Sequence, residues 1–300
     1  MMFQGVQSNQ GKGKIVLEVT CPGLTQHEGD FKRSEVVSLQ CSYPLKILAP
    51  EHAGLSVCRW IYPVNFGGGL VGGDHIDITV SLGDNCAALV TTQESTKVYH
   101  CRDAQETQQN MEYFLHGTTF LAILGDPVVC FADAQFCQTQ KVYMSEDSNI
   151  VLLDWLTAGR VALEEIWNFK SYQSLVEVYI DKHLVFKDNQ RLSDGPYFTL
   201  REAMGSFQVL GMCVVLGDRM HNLVDHVKQL YGTPHSIGKP LSKDLICSYS
   251  PLTLECNNKV INGCYIRFVA TSTTLAYSVV QQVTSCLVEI LGGDPFRKKY

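Results

Sequence analysis

The chain is dominated by short segments in which apolar and polar residues alternate. In DHIDITVSLGD, the apolar residues Ile76, Ile78, Val80 and Leu82 are separated by single polar residues. This period of two is typical of a β-strand with one buried face. The same alternation, or a short apolar run, recurs in KIVLEVT, EVVSLQC, SVCRWIY, CAALVTT, TTFLAILG, AQFCQTQKVYM, NIVLLDWL, SLVEVYI, HLVFKD, FQVLGMCVVLG, LTLEC and CYIRFVA. The pattern predicts many short strands.

Two segments in the C-terminal third show helical periodicity instead. In residues 218–232, Met220, Leu223 and Val227 recur three and four positions apart, and a glycine closes the segment. Residues 272–293 open with Ser and Thr, which cap helices well, and end at a Gly-Gly pair. We therefore predict two α-helices, both in the C-terminal third.

Because the strands do not alternate with helices, the pattern argues against a doubly wound α/β fold and against an eight-unit βα barrel. It predicts a mainly β protein. We expect a flexible N-terminus over residues 1–13, one β-rich domain over 14–291 and a C-terminal tail over 292–300. A boundary near residues 188–197 is the alternative, although that stretch equally fits a loop inside one sheet system.

Composition narrows the class of protein. The formal net charge is −6, and the only basic run is the tail segment 297–299. With no basic cluster to neutralise a phosphate backbone, we expect no nucleic-acid partner. We find no signal-peptide pattern and no uninterrupted apolar run of 18 residues, so we expect no membrane partner. The twelve cysteines are spread along the chain, which fits reduced thiols in the cytoplasm better than a disulfide scaffold.

A glycine-rich stretch, NFGGGLVGGDH at residues 65–75, raises the question of nucleotide binding. Gly67, Gly69 and Gly72 satisfy the GxGxxG pattern of dinucleotide-binding folds. That motif needs a helix N-terminus next, because the pyrophosphate sits on its free N–H groups. Here the following segment alternates as a strand, so we interpret the glycines as a backbone device between two strands.

No standard catalytic or tight metal motif is present. The sequence contains no CxxC, no HExxH and no GxSxG, and His221 and His226 are five residues apart, which does not place them on one helical face. The residues alone therefore indicate a soluble β-rich protein with an unusual glycine-rich loop.

Four blocks of sequence, taken together, resemble a known family. GGGLVGGD, TTQESTKVYHC, LGDPVVCFADAQFCQ and DWLTAGRVALEEIW occur in this order over about residues 67–167. They are similar to the motifs of the urease accessory protein D family, called H in some bacteria. The chain resembles a eukaryote-like or divergent member of that family.

The resemblance implies a fold and a function. Family members are mostly β, with a helical-sheet arrangement resembling a β-helix and two helices. They are cytoplasmic maturation chaperones rather than enzymes. The resemblance implies that this chain helps insert nickel into apo-urease within a complex with urease accessory protein F and the GTPase accessory protein G. It implies transient contact with nickel and no tightly bound cofactor.

A path for nickel needs ligands that release the ion, so isolated carboxylates, histidines and waters suit it. The candidates are Asp74, Glu165, His75 and Asp126. For Asp74, the alternative is a carboxylate that stabilises a turn, and for His75, a surface residue. The predicted structural motif residues are Gly67, Gly68, Gly69, Gly72, Gly73, Thr91, Thr92, Gln93, Thr96, Lys97, Tyr99, Asp126, Pro127, Gly159, Arg160 and Trp167. In this set the threonines and Gln93 are expected to form a polar network, and Lys97 an ion pair.

One block departs from the family pattern GRxARGExW. Arg160, Glu165 and Trp167 are kept, but the second Arg and the following Gly of the pattern are Leu163 and Glu164 here. Leu lacks the five N–H donors of Arg, and Glu does not adopt positive φ as readily as Gly. We therefore expect a different local turn or charge contact. The departure also motivates an alternative function, a β-rich scaffold of this family whose partner is not urease.

Overall fold

The computed structural model describes residues 9–19, 31–52, 56–101, 105–233, 242–256 and 259–297. Within these residues the chain forms seventeen strands and four α-helices. The strands are β1 (Gln10–Glu18), β2 (Glu35–Cys41), β3 (Leu45–Leu48), β4 (Arg59–Asn65), β5 (His75–Leu82), β6 (Ala87–Val90), β7 (Thr96–Val98), β8 (Thr107–Leu115), β9 (Phe120–Leu124), β10 (Val128–Cys130), β11 (Gln135–Met144), β12 (Asn149–Thr157), β13 (Ser171–Ile180), β14 (His183–Leu192), β15 (Val209–Leu216), β16 (Leu245–Cys256) and β17 (Lys259–Ala270). The helices are α1 (Leu200–Met204), α2 (His221–Tyr231), α3 (Thr273–Thr284) and α4 (Val288–Leu291).

The strands form two sheets, and the chain winds between them. A seven-stranded outer sheet has the order β14-β13-β11-β8-β5-β1-β2. A ten-stranded middle sheet follows the order β16-β17-β15-β12-β9-β6-β4-β3, with β10 and β7 added beside β12. From β4 to β13 the chain alternates between the sheets, and neighbouring strands in this coil are parallel. This is the helical-sheet arrangement that the family resemblance implies, and the mainly β prediction is confirmed.

Two apolar cores separate three layers. One core lies between the outer and middle sheets and contains Ile78, Val80 and Leu152. The other lies between the middle sheet and the helices and contains Leu153 and Val279. Adjacent residues of β12 therefore belong to different cores, which explains why this strand reads as an apolar run rather than as an alternation.

The two predicted helices are present in the C-terminal third. The first is α2, and the segment 272–293 forms α3, a 3-10 turn at Ser285–Leu287, and then α4. Ser272 caps α3 by accepting the Leu275 N–H at 3.3 Å. The sequence analysis missed α1, because five residues are too few to show a period.

The segment Thr273–Leu291 is long and apolar enough to cross a membrane by length and composition alone. However, 44% of it is buried inside the fold. Its residues Ala276, Val279 and Val283 pack in the core between the middle sheet and the helices. One face of this segment thus packs as part of the core.

Residues beyond both predicted limits of the domain take part in the fold. Strand β1 begins at Gln10 and pairs with β2 and β5, so residues 10–13 belong to the outer sheet, while residues 1–8 lie outside the described part. Phe296 falls in the predicted tail, yet its side chain is fully buried against Tyr277. The division into one domain with two flanking segments stays a prediction.

Candidate functional site

The connections between the two sheets differ in length on the two sides of the coil. Passing from the outer to the middle sheet takes four residues each time, at 83–86, 116–119 and 145–148. Passing from β4, β6, β9 and β12 to the next strand of the outer sheet takes nine to sixteen residues, at 66–74, 91–106, 125–134 and 158–170. The second and third of these stretches include the short strands β7 and β10. We name the two sides the short-turn side and the long-loop side. The four sequence blocks that carry the resemblance centre on the four long connections.

The glycine stretch forms the first long connection, and β5 follows it as predicted, with no helix between. Gly73 has φ +85°, a left-handed conformation that favours glycine. Gly72 serves a different purpose, because a Cβ atom there would lie 2.9 Å from Cys101 Cα. The Leu70 N–H donates to Lys97 O at 2.8 Å, and the Tyr99 N–H donates to Leu70 O at 2.8 Å. The glycines thus let the first long connection lie directly against the second.

Asp74 is buried and holds the end of this turn. Its Oδ2 accepts the Val71 N–H at 2.9 Å, and its Oδ1 accepts Asn9 Nδ2 at 3.1 Å. The Asp74 N–H in turn donates to Val71 O at 2.9 Å. This geometry matches the turn-stabilising alternative, and the role of Asp74 in a nickel path stays a prediction.

His75 lies on the face of the outer sheet that points away from the core. Its Nε2 is 2.9 Å from Asp77 Oδ1 and 3.2 Å from Asn110 Nδ2, both on the same face. The imidazole is half-exposed. The structure therefore does not bring His75 together with the buried groups described below.

The second long connection begins with the threonines of TTQESTKVY. Thr91 Oγ donates to Leu124 O at 2.7 Å, and Thr92 Oγ accepts the Asp126 N–H at 2.8 Å. The Thr96 N–H donates to Pro127 O at 3.2 Å. These bonds connect the second and third long connections. Two exposed residues complete the block: Gln93 faces solvent and Lys97 pairs with Glu94 at 3.2 Å.

Asp126 joins the loops to the helix layer. Its Oδ1 accepts the Tyr277 hydroxyl of α3 at 2.8 Å, and its Oδ2 accepts Thr92 Oγ at 3.3 Å. Trp155 Nε1 donates to the neighbouring Gly125 O at 2.9 Å, and the Trp155 ring packs edge-on against Tyr277. The carboxylate is buried and also lines the cavity described below.

Glu165 forms an ion pair with Arg160 in the fourth long connection. Arg160 Nε donates to Glu165 Oε2 at 2.8 Å, a second nitrogen contacts Oε1, and the Ala132 N–H donates to Oε2 at 3.3 Å. The bonds from Arg160 hold the pKa of the Glu165 carboxyl below its ordinary value. The guanidinium also lies 4.2 Å from the centre of the Phe131 ring. Glu165 is thus a loop-stabilising group in this geometry.

Glu164, which stands where the family pattern has Gly, adopts a left-handed backbone conformation. It has φ +61° and directly follows the 3-10 turn Val161–Leu163. Trp167 Nε1 donates to Phe207 O at 2.9 Å, and a Cβ at Gly159 would lie 2.7 Å from Glu165 O. Leu163 is exposed at the position of the second Arg of the pattern. A local turn or charge contact that differs from other family members stays a prediction.

Two neighbouring cavities lie at the long-loop side. A surface vestibule of about 270 Å³ is lined by motif residues including Gly68, Gly69, Gln93 and Lys97. Next to it, an inner chamber of about 80 Å³ reaches between the two sheets. The two cavities share four lining residues, which are Pro63, Asn65, Thr92 and Thr96. The motif loops therefore line a surface cavity that adjoins the interior.

The chamber lies inside the apolar core, and its lining combines polar with apolar side chains. Its lining includes Gln109, Gln138, Gln140 and Asp154. Gln138 Nε2 donates to Asp154 Oδ1 at 3.1 Å, and Ser174 Oγ donates to Asp154 Oδ2 at 2.6 Å. Burial raises the pKa of the Asp154 carboxyl to about 6, and these two hydrogen bonds oppose that rise.

Two buried polar atoms of the chamber lining, Asn65 Oδ1 and Gln140 Oε1, have no hydrogen-bond partner among the described residues. Nearly all buried polar groups in proteins are paired with protein or water, so these two atoms suit an interior that holds water or an ion. Carboxylate, amide and hydroxyl oxygens bind divalent cations weakly compared with a thiolate cage.

The sequence analysis missed Gln109, Gln138, Gln140 and Asp154. A signal was present in AQFCQTQKVYM, where the inward positions of β11 read Phe136, Gln138, Gln140 and Val142. Two glutamines between two apolar residues on a buried face indicate a polar pocket in the core. Asp154 carries the same signal as the single charged residue in the apolar run NIVLLDWL.

Known proteins are similar to this chain over most of its length. A family model described as "UreD urease accessory protein" matches residues 15–299. The protein named "Urease accessory protein D" from Oryza sativa subsp. indica is 33% identical over 96% of this chain and 99% of its own length. Its namesake from Arabidopsis thaliana is 31% identical over 88% of this chain and 95% of its own length. "Urease accessory protein UreD" from Sorangium cellulosum (strain So ce56) is 34% identical over 86% of this chain and 77% of its own length. By name these relatives are accessory proteins.

Proposed function

Because the chain belongs to the urease accessory protein D family, we propose that it assists nickel insertion into apo-urease. In this proposal it is a non-enzymatic chaperone of the cytoplasm. It acts in a complex with urease accessory protein F and the GTPase accessory protein G, and it contacts nickel transiently. Family membership supports a role in urease maturation, and the finer steps are the proposal.

The observation that carries the proposal is the polar chamber behind the motif loops. A mainly apolar sandwich gains no stability from a buried Asp and three buried Gln, since burying polar groups is unfavourable unless each finds partners. Their presence there suits a role in which an ion passes through. The donors are oxygens of one carboxylate and several neutral groups, so a bound Ni²⁺ is held loosely and can leave.

Two carboxylates lie along this route, Asp126 near the vestibule and Asp154 in the chamber. Asp74 and Glu165 are committed to turns through bonds to Val71 and Arg160. In the proposal, Asp126 and Asp154 contact nickel, and Asp74 shapes the entrance through the glycine turn. Glu165 and His75 remain predicted path residues that lie outside the chamber lining.

A chaperone also needs protein contacts, and the long-loop side offers apolar side chains for them. Phe66 and Val71 in the first connection are exposed, Tyr43 stacks on Phe66, and Leu163 is exposed in the fourth connection. Exposed large apolar groups that cluster on one side of a soluble protein suit a protein interface. The partners in the proposal are apo-urease and accessory proteins F and G.

The test is deletion of the gene in a urease-positive host. We expect urease protein to persist while its activity and bound nickel fall, and we expect both to return on complementation with the intact gene. Affinity purification from the native source should recover urease subunits and proteins F and G. Normal nickel content in urease from the deletion strain would overturn the proposal.

A second candidate function rests on Leu163, which is 62% exposed beside the Arg160–Glu165 pair. An apolar residue at this position alters what the surface recognises, which fits a scaffold with a partner other than urease. Purification that recovers other proteins and no urease subunits favours this function. Restoring the family residue with Leu163→Arg should then increase the amount of urease recovered in the purification. If the recovered amount does not change, Leu163 does not determine the choice of partner.

A further inference from the structure

The polar interior does not end at the chamber. Ser174, which donates to Asp154, pairs in register with Gln190 on β14, and both side chains are buried. Directly paired side chains on one face of a sheet lie within about 5.5 Å at Cβ. Gln190 Nε2 then donates to Asp188 Oδ2 at 3.2 Å. A line of polar side chains thus runs inside the outer sheet from the chamber to its last strand.

Asp188 lies on β14, the last strand of the outer sheet, where this line of polar side chains reaches the edge of the two packed sheets. Its Oδ1 accepts the Tyr265 hydroxyl at 3.2 Å and also contacts the Arg267 guanidinium. Asp188 belongs to the outer sheet, whereas Tyr265 and Arg267 belong to β17 of the middle sheet. The three side chains therefore close the gap between the two sheets at this edge.

The two charges of this closure differ in their access to water. The Asp188 side chain is 13% exposed, whereas that of Arg267 is 43% exposed. The carboxylate therefore faces the interior line, and the guanidinium covers it from the solvent side. The Arg267 side chain is already half-exposed. Its guanidinium can therefore turn outward into solvent without leaving a fully buried position.

A buried phenol lies near the same line. Tyr172 is buried, and Ser174, the residue that donates to Asp154, is beside its hydroxyl. Burial raises the pKa of this phenol, and the nearby charges of Asp154 and Asp188 raise it further. The phenol is therefore neutral, and the charges of both carboxylates act on it.

We propose that Asp188 is a second holding site for a divalent cation, occupied at rest by the guanidinium of Arg267. This proposal rests on the proposed function of the chamber. The site supplies the Asp188 carboxylate and the Tyr265 hydroxyl oxygen, and the Gln190 amide lies beside them. A cation arriving from Asp154 displaces Arg267 into solvent, and return of the guanidinium, which does not lose its proton, expels the cation.

The test uses the purified full chain and Mn²⁺ as the probe, followed by electron paramagnetic resonance at neutral pH. Removal of the competing charge in Arg267→Gln should tighten Mn²⁺ binding at least about tenfold or add one bound ion. Arg267→Lys keeps the charge and should bind as the parent does. The double variant Arg267→Gln/Asp188→Asn should lose the gain. Equal Mn²⁺ binding by Arg267→Gln and the parent, or a gain that survives Asp188→Asn, would overturn the proposal.

A second measurement covers the case in which Arg267→Gln does not fold. In the parent, Mn²⁺ should broaden the side-chain amide signal of Gln190, and Asp188→Asn should abolish that broadening while leaving thermal unfolding in place. Persistence of the broadening in Asp188→Asn would contradict the proposal. Neither readout involves urease, so normal nickel content after gene deletion removes the proposed function, whereas unchanged Mn²⁺ binding removes only the Asp188 site.

Discussion

The long-loop side and the short-turn side of the coil use polar residues in opposite ways. The short turns bond to one another: the Thr118 N–H donates to Asp84 Oδ1 at 2.7 Å, and Ser145 and Ser148 both donate to Gly117 O. None of the unpaired buried atoms among the described residues belongs to these turns. On the long-loop side, unpaired atoms such as Asn65 Oδ1 line a cavity.

The two sides of the coil therefore differ in role: the short turns stabilise the fold, and the long connections carry the candidate functional groups. Four-residue turns that satisfy their own polar groups fix the spacing of the strands. Long connections can carry vestibule, chamber entrance and exposed apolar groups because the opposite side already sets the register. Residues on the long-loop side should therefore affect urease maturation, and equivalent residues on the short-turn side should affect stability alone.

The largest effect should come from backbone contact in the long connections. Gly72→Val places side-chain atoms against the Cys101 backbone, which cannot move away, and should lower the free energy of unfolding by about 3 kcal/mol or more. The contact is steric, since φ at Gly72 is not positive. Gly83→Ala on the short-turn side meets only the end of the Glu18 side chain, which can rotate, and should change stability by less than about 1 kcal/mol. Urea denaturation measures both, and equal losses would contradict the comparison.

The next largest effect is a dependence of the free energy of unfolding on pH, which arises from the Asp154 carboxyl. The pKa of its carboxyl is about 6 in the folded protein and near 3.8 when unfolded, so the folded state binds more protons between these values. Charging Asp154 should therefore lower stability progressively from about pH 4 to about pH 6, by up to about 3 kcal/mol. Asp154→Asn removes this slope, so its stability relative to the wild type should rise across that range. A difference that does not change with pH would refute the burial argument.

A smaller difference in stability is expected between alanine variants of two carboxylates that lie in turns, Asp74 and Asp84. Asp74→Ala removes two hydrogen bonds from a buried site and should destabilise by about 2 kcal/mol. Asp84→Ala removes the bond to Thr118 at an exposed site and should destabilise by less than about 1 kcal/mol. Thermal or urea unfolding provides both values. An Asp74→Ala variant as stable as the wild type, yet slow in nickel loading, would return Asp74 to the list of path residues.

The smallest effect on stability should come from exposed residues. Leu163→Ala removes an exposed side chain and should change the free energy of unfolding by less than about 0.5 kcal/mol. If the long-loop side contacts a partner there, the same variant should nonetheless reduce recovery of that partner in affinity purification. Unchanged recovery would place the partner surface elsewhere on the molecule.

The alternation of apolar and polar residues was enough to predict the strands and the mainly β class. Strand β5 follows directly from DHIDITVSL, and α2 from its 3.6-residue period. The winding of the chain between two sheets does not follow from such local patterns, and only the family resemblance indicated it. Helix α1 and the packing of Phe296 depend on tertiary contacts that carry no sequence period.

The candidate site was predictable in its loops and not in its interior. The glycine and threonine blocks do lie together at the vestibule. Asp154 was overlooked because it stands in an apolar run, and its neighbours Gln138 and Ser174 come from other strands. Which side chains face one another across a sandwich depends on register, which single segments do not encode.

The most direct measurement is the nickel content of urease from a host whose only copy of this gene carries a single carboxylate change. Asp154→Asn alters the chamber, and Asp147→Asn alters an exposed carboxylate of a short turn. With both variants present at wild-type levels, we predict several-fold less nickel in urease from the Asp154→Asn strain and unchanged nickel from the Asp147→Asn strain. Equal nickel in the two strains would contradict a cation path through the chamber.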